Sequence, residues 1–250
     1  MFIKMPSTFP QDKFQEFGKY ATERLPKLLS DEYLADRHQR RQHFDRAWMA
    51  VCYRYRACSE CNEEFKALLL NASDLWSEWN DDEEQNYKLE RCLYEFFVSG
   101  LSVFESFAFC LYFLGSAIRL VDFCLVCNPK RITLEGTIKA FRSAFPSAAI
   151  TTRLATLPDD PGFKAIHAVR NILAHRLTGR RNVRDEIVVD GGASTHTRAA
   201  VWHVQGSDEE PEFDEQMVQH CLDEITTLLS LLIEAADEFA QNSRAGTAYP

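Results

Sequence analysis

The segment FKAIHAVRNILAHRLTGRRNVR, residues Phe163–Arg184, has the pattern of a helix with two different faces. Asp160-Pro161-Gly162 precedes it and supplies a capping carboxylate followed by a proline at the first helical position. Gly179 stands where such a helix would stop. We therefore predict one helix from Pro161 to Thr178.

Side chains on this helix separate into an apolar stripe and a polar stripe, because successive residues are rotated by about 100°. The polar stripe holds His167, Asn171 and His175 at positions i, i+4 and i+8, beside Arg170. The apolar stripe consists of Ile166, Val169, Ile172, Leu173 and Leu177. We therefore expect one face to pack and the other to carry chemistry.

The same segment is a cationic island on an acidic chain. From Lys164 to Arg184 there are six Lys or Arg residues and no Asp or Glu, whereas the whole chain has a formal net charge of -9. Such a local concentration of positive charge indicates an anionic partner. Nucleic acid is the partner that we expect.

Arginine and histidine together have the chemistry that RNA cleavage needs in the absence of a metal ion. Arg170 stays charged and can hold a phosphate by two parallel N–H bonds, while His175 can take or give protons near neutrality. A base removes the proton of the 2′-hydroxyl, a cation stabilises the charge on the phosphorane, and the leaving 5′-oxygen is protonated. On spacing alone, a packed or capping His175 and a salt-bridged Arg170 remain the alternative.

The heptapeptide RNILAHR, residues 170–176, resembles the signature of the HEPN family, in which Arg and a polar residue are followed by His. A long apolar helix before it and an amphipathic helix after it extend the resemblance over about Leu93 to Gln241. The resemblance implies a helical bundle that cleaves RNA as a dimer without a metal ion. It equally allows a non-catalytic module that binds RNA or a protein, and a purely structural bundle is a third interpretation.

The resemblance assigns the motif to three residues of this chain, and Arg170, Asn171 and His175 would be catalytic. The pattern of the residues themselves adds His167, from the same polar stripe, and Glu105, the lone charge of the apolar helix, as supports from behind. No metal ion or other cofactor is expected. RNA-binding residues would be Lys164, Arg176, Arg180, Arg181 and Arg184.

The spacing within the motif favours a homodimer joined through the motif helix. Arg170 and His175 are five residues apart, which separates them by about 140° around the helix and roughly 7.5 Å along its axis. One helix therefore does not bring them together. Two helices meeting at a two-fold axis could place the arginine of one chain beside the histidine of the other.

The rest of the chain predicts a mainly all-α protein, because apolar residues recur at helical spacing through most of its length. We expect residues 1–80 to be an N-terminal helical extension, residues 81–242 to be the HEPN-like helical bundle and residues 243–250 to be a flexible tail. Asp190-Gly191-Gly192 separates two β-branched segments. It predicts a small β-hairpin inserted before the last helix.

The apolar stretch Phe96–Ile118 is long enough to mimic a membrane span, but it carries Glu105 near its middle. We expect a helix buried at the centre of a bundle rather than a membrane helix, with Glu105 paired to Arg170, His167 or Arg119. The N-terminal sequence lacks the pattern of a secretion signal. A cytoplasmic protein is therefore expected, and the resemblance to toxin or anti-phage ribonucleases implies an antitoxin or regulator as a further partner.

Two CxxC pairs, Cys58–Cys61 and Cys124–Cys127, raise the question of a zinc site, since four thiolates can close one. Both pairs lie within helical patterns rather than in tight turns. We expect buried free thiols, with zinc as the alternative.

Overall fold

The computed structural model describes residues 4–18, 34–74, 83–119, 122–123, 132–175, 179–190, 193–203 and 212–244. For residues 34–41, 71–74, 117, 175, 180–190, 193–199 and 243–244 this description covers the backbone alone.

The described residues form a mainly helical protein, which confirms the expected fold class. The helices are α1 (11–18), α2 (Leu34–Asp74), α3 (Glu83–Ile118), α4 (Leu134–Ala144), α5 (Ala149–Thr156), α6 (Pro161–His175) and α7 (Glu215–Arg244). A short 3-10 turn, Leu157–Asp159, joins α5 to α6. The strands are β1 (Arg180–Asp190), β2 (Ala193–His203) and β3 (Glu212–Phe213).

Side-chain caps fix where several helices begin. The hydroxyl of Thr133 accepts a hydrogen bond from the backbone N–H of Gly136, so α4 begins at the next residue, Leu134. Asp214 does the same for α7, with its Oδ1 2.7 Å from the backbone N of Met217. These caps satisfy N–H groups that have no partner inside the helix.

The predicted hairpin is present. Strands β1 and β2 pair antiparallel from Arg180 opposite His203 to Asp190 opposite Ala193, which leaves only residues 191–192 as the connection. The predicted turn residues, Gly191 and Gly192, lie outside the described residues. Strand β3 was not predicted, and it pairs with the end of β2 to give the sheet order β1-β2-β3.

The chain divides into two compact units. The first unit comprises Met1–Arg56, Leu101–Lys164 and Ile225–Pro250. Its interior is aromatic: the ring of Phe145 lies 5.6 Å from that of Phe141 and 4.8 Å from that of Phe239. The start of α6 packs in this unit through Phe163, whose ring is 5.4 Å from that of Phe104. The contacts of Phe145 with Phe239 and of Phe163 with Phe104 are edge-to-face, which is a favoured arrangement of buried aromatic rings.

The second unit comprises Ala57–Gly100 and Ala165–Glu224, and it contains the motif residues of α6. In this unit Phe97 packs edge-on against Phe213 with their ring centroids 5.5 Å apart. The amide nitrogen of Asn62 donates to Gln219 over 3.0 Å. This hydrogen bond joins the buried Asn62 of α2 to the half-buried Gln219 of α7 within this unit.

Residues on both sides of position 80 contribute to each unit. In the first unit, for example, the hydroxyls of Tyr55 and Thr226 lie 2.6 Å apart. The expected N-terminal extension, residues 1–80, is therefore not a separate compact unit. Of the expected tail, residues 243–244 belong to α7 and residues 245–250 lie outside the described residues.

Within the described residues, one helical segment, Glu83–Ser116, is long and apolar enough to cross a membrane, and 67% of its most apolar window is buried inside the protein. A core helix has this property when protein surrounds its apolar surface.

Candidate active site

Helix α6 begins where the sequence predicts. The Oδ1 atom of Asp160 accepts hydrogen bonds from the backbone N–H groups of Gly162, at 2.9 Å, and Phe163, at 3.2 Å. The helix extends to His175, and residues 176–178, which complete the predicted helix, lie outside the described residues. The N-cap prediction is confirmed.

The two faces of α6 differ only in part as expected, because Val169 and Ile172 of the apolar stripe are half-buried and Leu177 lies outside the described residues. Ile166 and Leu173 are buried, with 1% and 8% of their surface exposed. His167 is exposed, and Arg170 and Asn171 are half-buried. The apolar stripe therefore anchors the helix and leaves the polar stripe accessible.

Three of the predicted site residues are joined by hydrogen bonds along the polar face. The guanidinium Nη1 of Arg170 donates to Oδ1 of Asn171 over 2.9 Å. The amide Nδ2 of Asn171 lies 3.3 Å from Nδ1 of His167. We call this row Arg170–Asn171–His167 the polar relay.

The hydrogen bonds of the polar relay determine which ring nitrogen of a neutral His167 carries the proton. Arginine can only donate, so the oxygen of the Asn171 amide must face Arg170 and its NH₂ group must face His167. The NH₂ group can only donate, and Nδ1 of His167 must therefore be the acceptor. The neutral ring then carries its proton on Nε2, which makes that nitrogen a hydrogen-bond donor rather than a base.

Arg170 keeps most of its binding capacity in the polar relay. A guanidinium carries five N–H groups, and the bond to Asn171 occupies one of them. The remaining donors can still hold a phosphate oxygen. Asn171 thus orients the guanidinium and leaves most of its N–H donors available.

His175 is the last residue of α6, five positions after Arg170, and its side chain lies outside the described residues. Arg176 and the side chains of Arg180, Arg181 and Arg184 lie outside them as well, although the last three residues have their backbone in β1. The proximity of these side chains to the polar relay stays a prediction.

Lys164 belongs to the first unit, where its ammonium lies 3.0 Å from the carboxylate of Asp159. Both side chains are more than half exposed. An exposed ion pair of this kind contributes little to stability, so Lys164 can exchange Asp159 for a phosphate at small cost.

Sequence reasoning missed a carboxylate that holds the chain just beyond the motif helix. The Oε2 atom of Glu90, on α3, accepts a hydrogen bond from the backbone N–H of Gly179 over 3.2 Å and another from the indole Nε1–H of Trp202 over 3.0 Å. Burial raises the pKa of Glu90, and these two hydrogen bonds lower it in part. We call this arrangement of Glu90, Gly179 and Trp202 the Glu90 clamp.

The sequence does contain a signal for Glu90. It lies three residues before Leu93 and seven before Phe97, both fully buried, and so falls within the apolar stripe of α3. A carboxylate in an apolar stripe needs hydrogen-bond donors. Its partners, however, are 89 and 112 residues away, at distances that no local pattern reveals.

The expected burial of Glu105 is wrong. Its side chain is exposed, on the same side of α3 as the half-buried Ser102 and Phe109. An exposed carboxylate is hydrated and does not require a cationic partner. The reason for placing Glu105 behind the motif is therefore lost.

The first CxxC pair consists of buried thiols. Burial raises the pKa of Cys61 to about 12 and that of Cys58 well above its ordinary value. Cys124 and Cys127 lie outside the described residues. Among the residues that the structure describes, no group of three or more His, Cys, Asp or Glu side chains is arranged to hold a metal ion.

Comparison of the chain with protein-family models, curated proteins and solved structures finds no match.

Proposed function

We propose that this protein is a HEPN-like endoribonuclease that cleaves RNA by internal attack of the 2′-hydroxyl, without a metal ion. The observation that carries the proposal is the polar relay on an exposed face of a capped helix. An arginine held by a neighbouring amide beside a histidine is a preorganised set of donors for a phosphate. Arg170 and Asn171 of the polar relay are the first two residues of the RNILAHR motif, and His175 is the sixth.

In the proposed reaction, Arg170 stabilises the negative charge that builds on the phosphorane. A base takes the proton of the 2′-hydroxyl, the 2′-oxygen bonds to phosphorus, and the bond from phosphorus to the 5′-oxygen breaks. The 5′-oxygen leaves with a proton from the acid. The products are a 2′,3′-cyclic phosphate on one fragment and a 5′-hydroxyl on the other.

The polar relay gives the two histidines of α6 different roles in the proposal: His167 donates a hydrogen bond and His175 transfers protons. His167 offers an N–H at Nε2, because Nδ1 accepts from Asn171. It can donate a hydrogen bond to a phosphate oxygen but cannot accept the 2′-hydroxyl proton in this tautomer. His175 therefore is the proton-transferring histidine in the proposal, with Asn171 as the orienting group.

A homodimer through the motif helices completes the site in this proposal. Arg170 and His175 differ by about 140° in azimuth, and a two-fold axis would pair the arginine of one chain with the histidine of the other. His175 would be the general acid or base of each composite site. The RNA backbone would be held by Lys164, Arg176, Arg180, Arg181 and Arg184.

In this proposal the protein acts in the cytoplasm as a toxin or an anti-phage nuclease. An antitoxin or regulator would be the partner that inhibits it. The rival function is a non-catalytic HEPN-like module that binds RNA or a protein through the same cationic face.

The experiment that separates them is incubation of the purified protein with structured RNA in EDTA. The proposal expects cleavage that persists in EDTA and falls by at least about a hundredfold in Arg170→Ala and in His175→Ala. Lys88→Ala, which removes an exposed cation that pairs with Glu84 on α3, is the matched control and should cleave normally. Binding without cleavage would favour the rival, and activity that requires Mg²⁺ would contradict the mechanism.

A further inference from the structure

The Glu90 clamp holds residue 179, four residues beyond the last described residue of the motif helix. Gly179 comes four residues after His175 and directly before β1. One carboxylate oxygen of Glu90 receives both the backbone N–H of Gly179 and the indole N–H of Trp202. Trp202 is 1% exposed and therefore forms a fixed wall.

Gly179 is packed so closely in the Glu90 clamp that no larger residue fits. A Cβ atom at this position would overlap the indole nitrogen of Trp202 and lie 2.5 Å from the backbone oxygen of His203. Atoms do not approach so closely without a shift of the backbone or of the indole. The position of residue 179 is thus determined by contacts with α3 and β2.

The fixed position of Gly179 limits where His175 can lie. Only residues 176–178 separate the two, so their Cα atoms are at most about 14 Å apart. Strand β1 begins directly after Gly179, and its first residues, Arg180 and Arg181, belong to the proposed RNA-binding residues. A displacement at residue 179 would shift the start of β1 directly, and it would alter the span that the three-residue link to His175 has to bridge.

We propose that Glu90 is a positioning residue that holds the end of the motif helix, and with it His175 and the cations of β1, in the geometry for RNA cleavage. This inference rests on the proposed function, since it explains how that site is kept in place. Glu90 acts through Gly179 and Trp202, and it does not touch RNA. A site displaced by about 1 Å can lose about a hundredfold in rate.

The test compares four variants by hydrogen exchange and by RNA cleavage, after circular dichroism has shown that each is helical. Glu90→Ala removes the shared acceptor, and Gly179→Ala pushes residue 179 away from Trp202. Glu90→Gln keeps an oxygen that can accept both N–H groups. Glu84→Ala removes an exposed carboxylate from the same helix and is the control.

The inference expects amide exchange in residues 173–181 to accelerate about tenfold or more in Glu90→Ala and Gly179→Ala. It expects kcat for RNA cleavage to fall by about ten- to a hundredfold in the same two variants, with a smaller change in KM. Glu90→Gln should restore both properties, and Glu84→Ala should leave both unchanged.

Two results would overturn the inference. Unchanged exchange at residues 173–181 in Glu90→Ala would show that the carboxylate does not hold this segment. Faster exchange with unchanged kcat would show a purely structural role. Failure of the wild-type protein to cleave any RNA would contradict the proposed function instead, and the exchange experiment would still decide whether Glu90 holds the segment.

Discussion

Removing the carboxylate of Glu90 should lower the free energy of unfolding by about 2 kcal/mol, because two donors lose one acceptor. The indole N–H of Trp202 is buried, and leaving such a donor without a partner costs about 1–3 kcal/mol. Gly179 is half-buried, so water can replace part of its hydrogen bond and its loss costs less, about 0.5–1 kcal/mol. Relief of the desolvation of the carboxylate offsets part of this sum.

Urea denaturation followed by circular dichroism measures this loss of free energy directly. In a thermal unfolding experiment, a loss of 2 kcal/mol corresponds to a decrease of about 4–8 °C in Tm. Glu90→Gln should be close to the wild type, because its amide oxygen can accept both hydrogen bonds. The reasoning would be refuted if Glu90→Ala were no less stable than Glu84→Ala, whose exposed carboxylate pairs with Lys88 at the surface.

The pH dependence of stability has a definite sign at Glu90. Burial raises the pKa of this carboxyl above its ordinary value of 4.5, so the folded protein holds the proton more tightly than the unfolded chain. The stabilisation from this group is therefore complete below pH 4.5 and is lost as the pH rises through the folded pKa. The stability of the wild type relative to Glu90→Gln should fall over that range, and a rise would contradict the assigned burial.

Three further predictions concern the motif helix. Asp160→Ala should lower the free energy of unfolding by about 1 kcal/mol, whereas Asp160→Asn keeps a capping oxygen and most of the stability; equal losses for the two variants in urea denaturation would count against the cap. Asn171→Asp should move the proton of His167 to Nδ1, because a carboxylate only accepts, and ¹⁵N chemical shifts of the ring would detect it; an unchanged Nε2–H form would contradict the polar relay. Mixing inactive Arg170→Ala with inactive His175→Ala chains should restore roughly a quarter of the activity, since half of the dimers carry one complete site of two; no recovery would exclude a site shared between chains.

The start of the motif helix could be predicted from the sequence because its determinants are local. Asp160 and Pro161 act on the first turn that follows them, and Thr133 caps α4 in the same way. The hairpin was equally predictable, since Gly191 and Gly192 between two β-branched segments indicate two strands joined closely, and β1 and β2 do pair antiparallel. Such features depend on neighbours within about four residues.

The expectations that failed depended on which side of a helix faces the protein. The stretch around Glu105 is so uniformly apolar that its composition suggests burial on all sides. Ser102, Glu105 and Phe109 nevertheless lie along one side of the helix, where Glu105 is exposed and the other two are half-buried. The helical period, rather than the mean hydropathy, contained the answer.

The Glu90 clamp could not be predicted, because it joins α3 to residues 89 and 112 positions later in the chain. Strand β3 is likewise formed by pairing with β2, and its two residues carry no periodic signal of their own. Long-range pairing of this kind requires the fold to be known first.

The central claim is that RNA is cleaved by its own 2′-hydroxyl with the Arg170–His175 motif and no metal ion. Analysis of the ends of RNA fragments produced in EDTA tests it most directly. We predict a 2′,3′-cyclic phosphate on one fragment and a 5′-hydroxyl on the other, formed by the wild type and not by His175→Ala. Fragments with a 3′-hydroxyl and a 5′-phosphate, or equal cleavage by the His175→Ala protein, would contradict the claim.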